Sequence, residues 1–181
     1  MNWFQRFCGH FSTVHKHRKL VRRGCFKVGL YWQGLTHDLS KYSWTEFRVG
    51  VKYYQGFRSP NNAEREEKGY TSAWLHHKGR NKHHMEYWID YSSKPGYPME
   101  GMKMPKKYVV EMLIDRISAS KVYQGDDYKD DSALNYYNRG KWHYILHEDS
   151  KKLLEELLTM VATQGEEATY KYIREKVLSK D

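Results

Sequence analysis

Two pairs of histidines stand close together in the segment SAWLHHKGRNKHHMEYW, residues 72–88. His76 and His77 form the first pair, and His83 and His84 form the second. Neutral imidazole is a preferred ligand of Zn, Fe, Mn and Ni, and Gly79 predicts a turn that lets the pairs face each other. The segment therefore predicts one wall of a metal site. The alternative is a surface loop in which some of these histidines only orient ligands or are exposed.

A second group with ligand chemistry is HDLSK, residues 37–41. His37 offers a nitrogen and Asp38 an oxygen from the same turn of backbone, so two adjacent side chains can reach one or two ions. A His-Asp dipeptide also arises by chance, and Asp38 would then only cap the local turn. The motif becomes informative when further ligands accompany it.

Two more polar residues fall on apolar helix faces, where burial requires a compensating partner. His17 follows Val14 by three positions and precedes Val21 by four, so it shares their stripe. Asp115 lies in KYVVEMLIDRISASKVY on the stripe that includes Ala119, which predicts a buried or half-buried carboxylate. His17 is either a satisfied core histidine or a ligand. Asp115 either pairs with an arginine of another helix or binds a metal.

The second histidine pair is assigned by helix phase. Asn81 suits the N-cap of a helix over residues 82–91. In that helix His84 shares a face with Trp88, whereas His83 points to the more polar side. We therefore expect His84 to be the more buried residue of the pair.

The elements that must position these residues are helices, because no run alternates with the period of two that is typical of strands. Apolar spacing and end signals predict helices over residues 10–34, 43–56, 71–77, 82–91, 105–123, 132–139, 150–164 and 166–178. Ser43 and Glu46 have the spacing of a capping box. Residues 57–70 predict a polar loop that includes a helical turn, and residues 92–104 predict a loop. The expected fold is all-α, an irregular helical bundle of roughly six to eight helices in one domain over residues 1–181.

Composition and charge bear on the partners. The formal net charge is +9, and its densest source is KHRKLVRRGCFK, residues 16–27. Such a chain is drawn toward phosphate-bearing partners, among them a nucleotide, a nucleic acid or an acidic protein, although the stretch could also be a solvated helix face. Cys8 and Cys25 form neither a disulfide framework nor a metal-like spacing, which favours a reducing, cytoplasmic compartment. No apolar stretch predicts a signal peptide or a membrane span, so no membrane partner is expected.

The order of the candidate ligands along the chain resembles that of the HD-domain superfamily of metal-dependent hydrolases. That superfamily is all-helical and places its ligands in the order His, His-Asp, one or two further His, and Asp. HDLSK is similar to the HD-x-G-K form of several branches, with Ser40 where glycine is usual. The chain also resembles, over nearly its whole length, a small bacterial and phage family that shares HDLSK, AW-x-HH and N-x-HH-x-E-Y-W. It departs from most of the superfamily in that only residues 78–82 separate its two histidine pairs.

The resemblance implies a metal-dependent hydrolase of a nucleotide or another small phosphoester. One or two divalent ions (Mn, Fe, Zn, Ni or Co) would be held by His17, His37, Asp38, His77, His83, His84 and Asp115. We choose His77 over His76 for the first pair, and His83 stands as a ligand or as a residue that orients one. Lys41 would lie near the substrate phosphate. Two alternatives remain: a di-iron oxygenase on a similar fold, and a basic module that binds nucleic acid or protein without catalysis.

Overall fold

The computed structural model of the chain describes residues 1–179. Within them the chain forms eight α-helices and one two-stranded sheet. The helices are α1 (Trp3–Lys27), α2 (Tyr31–Thr36), α3 (Trp44–Lys52), α4 (Pro60–Lys68), α5 (Ser72–Lys78), α6 (Lys106–Gln124), α7 (Ser132–Gly140) and α8 (Glu148–Tyr172), and the strands are β1 (Ile89–Tyr91) and β2 (Met99–Gly101). The expected all-α, irregular helical bundle is therefore confirmed.

The first predicted helix, over residues 10–34, is wrong at both ends. Helix α1 begins seven residues earlier, at Trp3, because Asn2 and Gln5 form a capping box with reciprocal hydrogen bonds of 2.9 Å. It ends at Lys27, and Gly29 then adopts a left-handed backbone with φ of 84°. The chain turns there, so α2 is a separate short helix.

Helices α3 and α5 form where the sequence predicts them, and α4 occupies a region that was expected to be mostly loop. Ser43 caps α3 as predicted, but the side chain of Glu46 does not reach back to it. That carboxylate instead accepts hydrogen bonds from α5, as described below. Helix α4 begins at Pro60 after the N-cap Ser59, a stronger start signal than the polar composition of the segment suggested.

The predicted helix over residues 82–91 does not form. Residues Met85–Trp88 make a short 3-10 turn, and Ile89–Tyr91 pairs antiparallel with Met99–Gly101. The reason lies in the side chain of Asn81, which does not cap a helix. It donates to the carbonyl oxygen of His77 at 2.8 Å and to the hydroxyl of Ser40 at 2.9 Å.

The last third of the chain supplies the main core. Helix α6 follows Pro105 directly. At Gly165 the backbone of α8 is non-helical, with φ of 82° and ψ of 169°, so the helix is broken at the point where the sequence predicts one helix to end and the next to begin. Six of the large, fully buried side chains come from these two helices: Leu113, Ile114, Ile117, Leu154, Leu157 and Leu158. Burying each such side chain contributes about 1.5–3 kcal/mol, so α6 and α8 anchor the bundle.

Helices α1 and α6 approach closely at a glycine. A Cβ atom on Gly24 of α1 would lie 2.6 Å from Cγ2 of Ile114, so only a glycine permits this packing distance. Helices α3 and α5 bury a small apolar cluster of their own around Val49, Tyr53 and Ala73. None of the helices among residues 1–179 is both long enough and apolar enough to cross a membrane.

Candidate metal centre

Five segments of the chain bring their polar side chains together between α1, α5 and α6. The cluster comprises His17 of α1, His37 and Asp38 of the turn after α2, His77 of α5, His83 and His84 of the following loop, and Asp115 of α6. All seven candidate metal ligands of the sequence therefore lie in one place. Their ligand atoms fall into two groups, and within each group the atoms lie within 4.8 Å of one another.

The first group, here called the three-histidine site, consists of Asp38, His77, His83 and His84. The Oδ1 atom of Asp38 lies 3.2 Å from Nε2 of His77 and 3.4 Å from Nε2 of His83. These three atoms and Nε2 of His84 are buried, and within the described chain none of the four has a hydrogen-bond partner. Buried polar atoms are rarely left without a hydrogen bond, and these four converge on one point as a group that could hold a cation.

The second group, the two-carboxylate site, consists of His17, His37, Asp38 and Asp115. Nε2 of His17 lies 3.0 Å from Oδ1 of Asp115 and 3.3 Å from Nε2 of His37. The Oδ2 atom of Asp38 lies 3.6 Å from His17 and 3.5 Å from His37. Two imidazoles and two carboxylates thus face one another at ligand spacing.

Asp38 belongs to both sites, with one carboxylate oxygen toward each. Among residues 1–179 it is the only non-glycine residue with a positive φ, at 54°. Aspartate tolerates this left-handed conformation better than most residues, and its cost is typical of functional positions. The turn is held by Arg18, whose guanidinium donates to the carbonyl oxygens of His37 at 2.8 Å and of Leu35 at 3.1 Å.

Two carboxylates outside the ligand groups orient the imidazoles. One oxygen of Glu111 accepts from Nδ1 of His37 at 2.8 Å and lies 3.1 Å from Nδ1 of His83. Glu46 accepts from Nδ1 of His77 at 2.8 Å with one oxygen and from Nδ1 of His76 at 2.7 Å with the other. With Nδ1 occupied in this way, the Nε2 atoms of His37, His77 and His83 are left to face the sites.

Sequence reasoning missed both of these carboxylates. Glu111 precedes Asp115 by four positions on α6, which places the two on one helix face, and this spacing was the available signal. Glu46 was assigned to a capping box instead, which concealed its contact with α5. Glu111, His37 and His83 also lie within 4.8 Å of one another, but the facing atoms are Nδ1 and Oε1, the atoms that form hydrogen bonds.

The carboxylates of the centre are ionised. Burial would raise the pKa of Asp38, but neighbouring His37 and Lys41 hold it well below its usual range. Burial would likewise raise the pKa of Asp115, but hydrogen bonds from His17 and His37 hold it well below its usual range. Both groups are therefore anionic over the physiological pH range.

The neighbouring histidines of the 83–84 pair differ in charge. Burial would lower the pKa of His83, but Asp38 and Glu111 raise it to about 10. Burial, followed by the charge of His83, lowers the pKa of His84 well below its usual value. Without a metal ion, His83 thus carries a proton at neutral pH and His84 does not.

Lys41 lies at the edge of the centre. Its ammonium is 3.4 Å from Oδ2 of Asp38, and its side chain is 26% exposed. Burial would lower its pKa, but Asp38 and Asp115 raise it, so Lys41 is a cation next to the shared carboxylate. A group that approaches the candidate metal ligands from solvent meets this charge.

The prediction that His84 is more buried than His83 is wrong, because no helix forms over residues 82–91. His83 is 2% exposed and is the more buried of the two, whereas His84 is half-buried, and both reach the three-histidine site. In the first pair, His77 faces Asp38 and His76 contacts only Glu46 among the clustered carboxylates.

Comparison with known proteins places the chain in a family. No curated protein and no solved structure matches it significantly. A family model does match, over residues 6–160, and this span includes every residue of the two sites and both orienting carboxylates. The matched family is described as "Family of unknown function (DUF5662)". Since the match covers most of the sequence, the chain belongs to this family.

Proposed function

We propose that the protein is a metal-dependent phosphohydrolase that holds one or two divalent ions at the three-histidine and two-carboxylate sites. The observation that carries the proposal is the convergence of four buried, unpartnered ligand atoms on one point, next to a second ligand group that shares Asp38. The Oδ1 atom of Asp38 meets Nε2 of His77 and of His83 only at ion-pair distances of 3.2 and 3.4 Å, without hydrogen-bond geometry. A bound cation would give all four atoms a common partner.

The types of ligand atom in the two sites limit which metal ions they would bind. Imidazole nitrogens together with carboxylate oxygens suit Mn, Fe, Co, Ni and Zn, whereas Mg and Ca prefer oxygen ligands alone. The described residues place no thiolate in either group, since Cys25 is buried nearby as a thiol whose pKa is raised by burial and by Glu111. The sites therefore fit first-row transition metals and zinc.

When bound, a divalent ion at this centre would lower the pKa of water and polarise a phosphoryl oxygen. The residues of the chain perform the remaining tasks. Glu46 and Glu111 fix the imidazole orientations through Nδ1, and the shared carboxylate of Asp38 keeps the two sites adjacent. Lys41 presents its charge at the solvent side, where it would bind a phosphoryl oxygen of the substrate and stabilise the developing charge.

The resemblance to the HD-domain superfamily supports the same conclusion. The order His17, His37-Asp38, a histidine pair, and Asp115 resembles the ligand order of those hydrolases, and the all-α bundle is of the kind that the resemblance implies. Lys41 occupies the position at which similar proteins use a lysine near the substrate phosphate. A phosphoester, a nucleotide among them, is the substrate class that these features favour together.

The metal content of the purified protein tests whether the two sites bind metal. The protein is prepared without a histidine tag, and its metals are measured by inductively coupled plasma mass spectrometry. We expect one or two equivalents of a first-row transition metal or zinc, and His37→Ala is expected to lose most of it. His143→Ala is the matched control, because His143 is exposed and lies in neither ligand group. Sub-stoichiometric metal that His37→Ala leaves unchanged would contradict the proposal.

Turnover assays test whether the metal-loaded protein hydrolyses phosphoesters. Nitrophenyl phosphate mono- and diesters and a panel of nucleotides are offered to protein reloaded with each metal in turn. We expect phosphate release that is lost in His37→Ala, and a raised KM in Lys41→Gln at unchanged metal content. The alternative function is that of an oxygenase, and protein that purifies mainly with iron would favour it. Activity that requires Fe(II) and dioxygen, with no phosphate released from any ester, would replace hydrolysis by that chemistry.

A further inference from the structure

A second surface, on the opposite side of α1 from the metal centre, combines exposed cations with exposed rings. His17 points inward, whereas His15 is two positions away, about 200° around the helix, and is exposed. We define the basic-aromatic face by the exposed residues Phe11, His15, Lys19, Arg22 and Phe26 of α1, together with Tyr31 of α2, which meets Phe26, and the exposed ring that follows it in the chain, Trp32. Its α1 residues recur every three or four positions and so form one stripe.

The N-terminal part of the chain, residues 1–37, carries only positively charged side chains. The basic residues among positions 1–37 are Arg6, Lys16, Arg18, Lys19, Arg22, Arg23 and Lys27, and no Asp or Glu occurs before Asp38. Lys27 is paired with Glu167 of α8. Lys19 and Arg22, at the centre of the face, form no salt bridge with any residue among 1–179. The face therefore presents uncompensated positive charge, which complements a polyanion.

The rings of the face are open to solvent and already arranged edge to face or in parallel. Phe11 stacks on His15 with centroids 6.2 Å apart, and Phe26 meets Tyr31 in a T-shape at 5.2 Å. Trp32 is 73% exposed. Phe11 and Phe26 are separated by about 22 Å along the helix axis, so the rings are spread over a long surface.

This distribution argues against a membrane as the occupant. A helix that lies in a bilayer surface turns a continuous apolar face to the lipid and keeps its cations on the opposite side. Here Lys19 and Arg22 lie between Phe11 and Phe26 on the same stripe, and the opposite side of α1 packs into the protein. Cations interleaved with rings suit a partner whose phosphates and bases alternate.

We propose that the basic-aromatic face binds single-stranded nucleic acid, with Lys19 and Arg22 on phosphates and Tyr31 and Trp32 stacked on bases. Base stacking on aromatic side chains is tolerant of sequence, and cationic grooves track the backbone, so the expected binding is sequence-independent and strongly salt-dependent. Since the face shares no residue with the two metal sites, this proposal stands independently of the proposed hydrolysis.

Fluorescence anisotropy tests it with a labelled mixed-sequence single strand of on the order of 12 nucleotides, a length within the range of known single-strand sites. The full chain is titrated as purified, and electrophoresis of the probe after the titration checks that the strand is intact. Trp32→Ala is expected to weaken binding about fivefold or more, the loss of one stacked base. Lys19→Glu with Arg22→Glu should lower the slope of log affinity against log salt by about 1.4 or more.

Matched controls separate the face from general charge and general hydrophobicity. Trp142→Ala removes a tryptophan that is 84% exposed elsewhere, and it is expected to leave affinity unchanged. Lys94→Glu with Lys152→Glu makes the same charge change at residues that are 72% and 71% exposed, on the β1–β2 loop and α8. If these control variants lose as much affinity as the variants of the face, binding depends on net charge or general hydrophobicity, and the proposal is overturned.

Two further outcomes would also overturn it. Equal affinity for a duplex of the same length, unaffected by Trp32→Ala, would show that no base is stacked. Binding to phosphatidylserine-containing vesicles with no measurable affinity for the single strand would assign the face to an anionic membrane surface instead. Circular dichroism of each variant confirms that the exposed substitutions leave the helices intact.

Discussion

The Nε2 atom of His17 lies 3.0 Å from the Oδ1 atom of Asp115, which joins α1 to α6 at the metal centre. Elsewhere along the same pair of helices, Gly24 of α1 lets them approach closely at Ile114, the chain neighbour of Asp115. A histidine that looked like an ordinary core residue and an aspartate on an apolar stripe thus compensate each other's burial. Without metal the pair is a buried polar contact, and in the proposed metal-bound state both atoms are ligands.

The first prediction concerns Asp38, the residue shared by both sites. Asp38→Asn removes the charge but keeps a residue that tolerates the left-handed backbone, so the turn is expected to persist. We expect metal content to fall to less than about a tenth of the wild-type value, because a neutral amide replaces the anionic ligand of both sites. Plasma mass spectrometry measures it. Asp126→Asn, an exposed aspartate on a turn, is the control, and retention of both ions in Asp38→Asn would contradict the shared-ligand assignment.

The second prediction separates the two orienting carboxylates. Glu111 contacts histidines of both sites, whereas Glu46 contacts only His77 among the ligands. We expect Glu111→Gln to weaken metal binding about 10–100-fold at both sites, and Glu46→Gln to do so at the three-histidine site alone. Competition with a metal-binding dye resolves the two affinities. Equal losses at both sites in Glu46→Gln would show that the orienting contacts do not act as the distances indicate.

The third prediction concerns pH. His83 has a folded-state pKa of about 10, raised above its unfolded value, so its stabilising contribution to the metal-free protein is complete below about pH 6.5 and is lost as pH rises toward 10. A metal ion must displace this proton, so metal affinity should rise over the same window. Titration calorimetry at pH 8 in buffers of different ionisation enthalpy should show proton release. His84, whose pKa is well below its usual value, should release none. Metal uptake without proton release would contradict the assignment of His83 as a ligand.

The fourth prediction concerns local stability. Helices α3 and α5 bury only a small apolar cluster of their own, and α5 meets Asp38 through His77. Hydrogen exchange followed by mass spectrometry should therefore show faster exchange of α5 and the 81–84 loop in chelator-treated protein than in metal-loaded protein. The centre of α6, enclosed by α8, should change little and serves as the internal control. A uniform change across all helices would instead indicate that the metal stabilises the bundle globally.

The fold class could be predicted from sequence because apolar spacing reveals which helix faces are buried. The same rule placed His17 and Asp115 on inward stripes, and the structure brings them together. It failed for His83 and His84 because residues 82–91 are held by the contacts of Asn81 and by strand pairing, which have no helical period. Glu46 and Glu111 escaped notice because carboxylates are common on helices, and only the partner across the bundle distinguishes these two.

The left-handed backbone at Asp38 restricts how this position can change during evolution. Gly, Asn and Asp adopt that conformation readily, whereas a ligand with two anionic oxygens must be Asp or Glu. Aspartate alone meets both conditions. Any substitution path away from Asp38 therefore passes through a chain that has lost either the turn after α2 or the carboxylate that belongs to both sites. Two independent requirements, the left-handed backbone and the anionic side chain, therefore restrict position 38. A change that removes one requirement leaves the other in place.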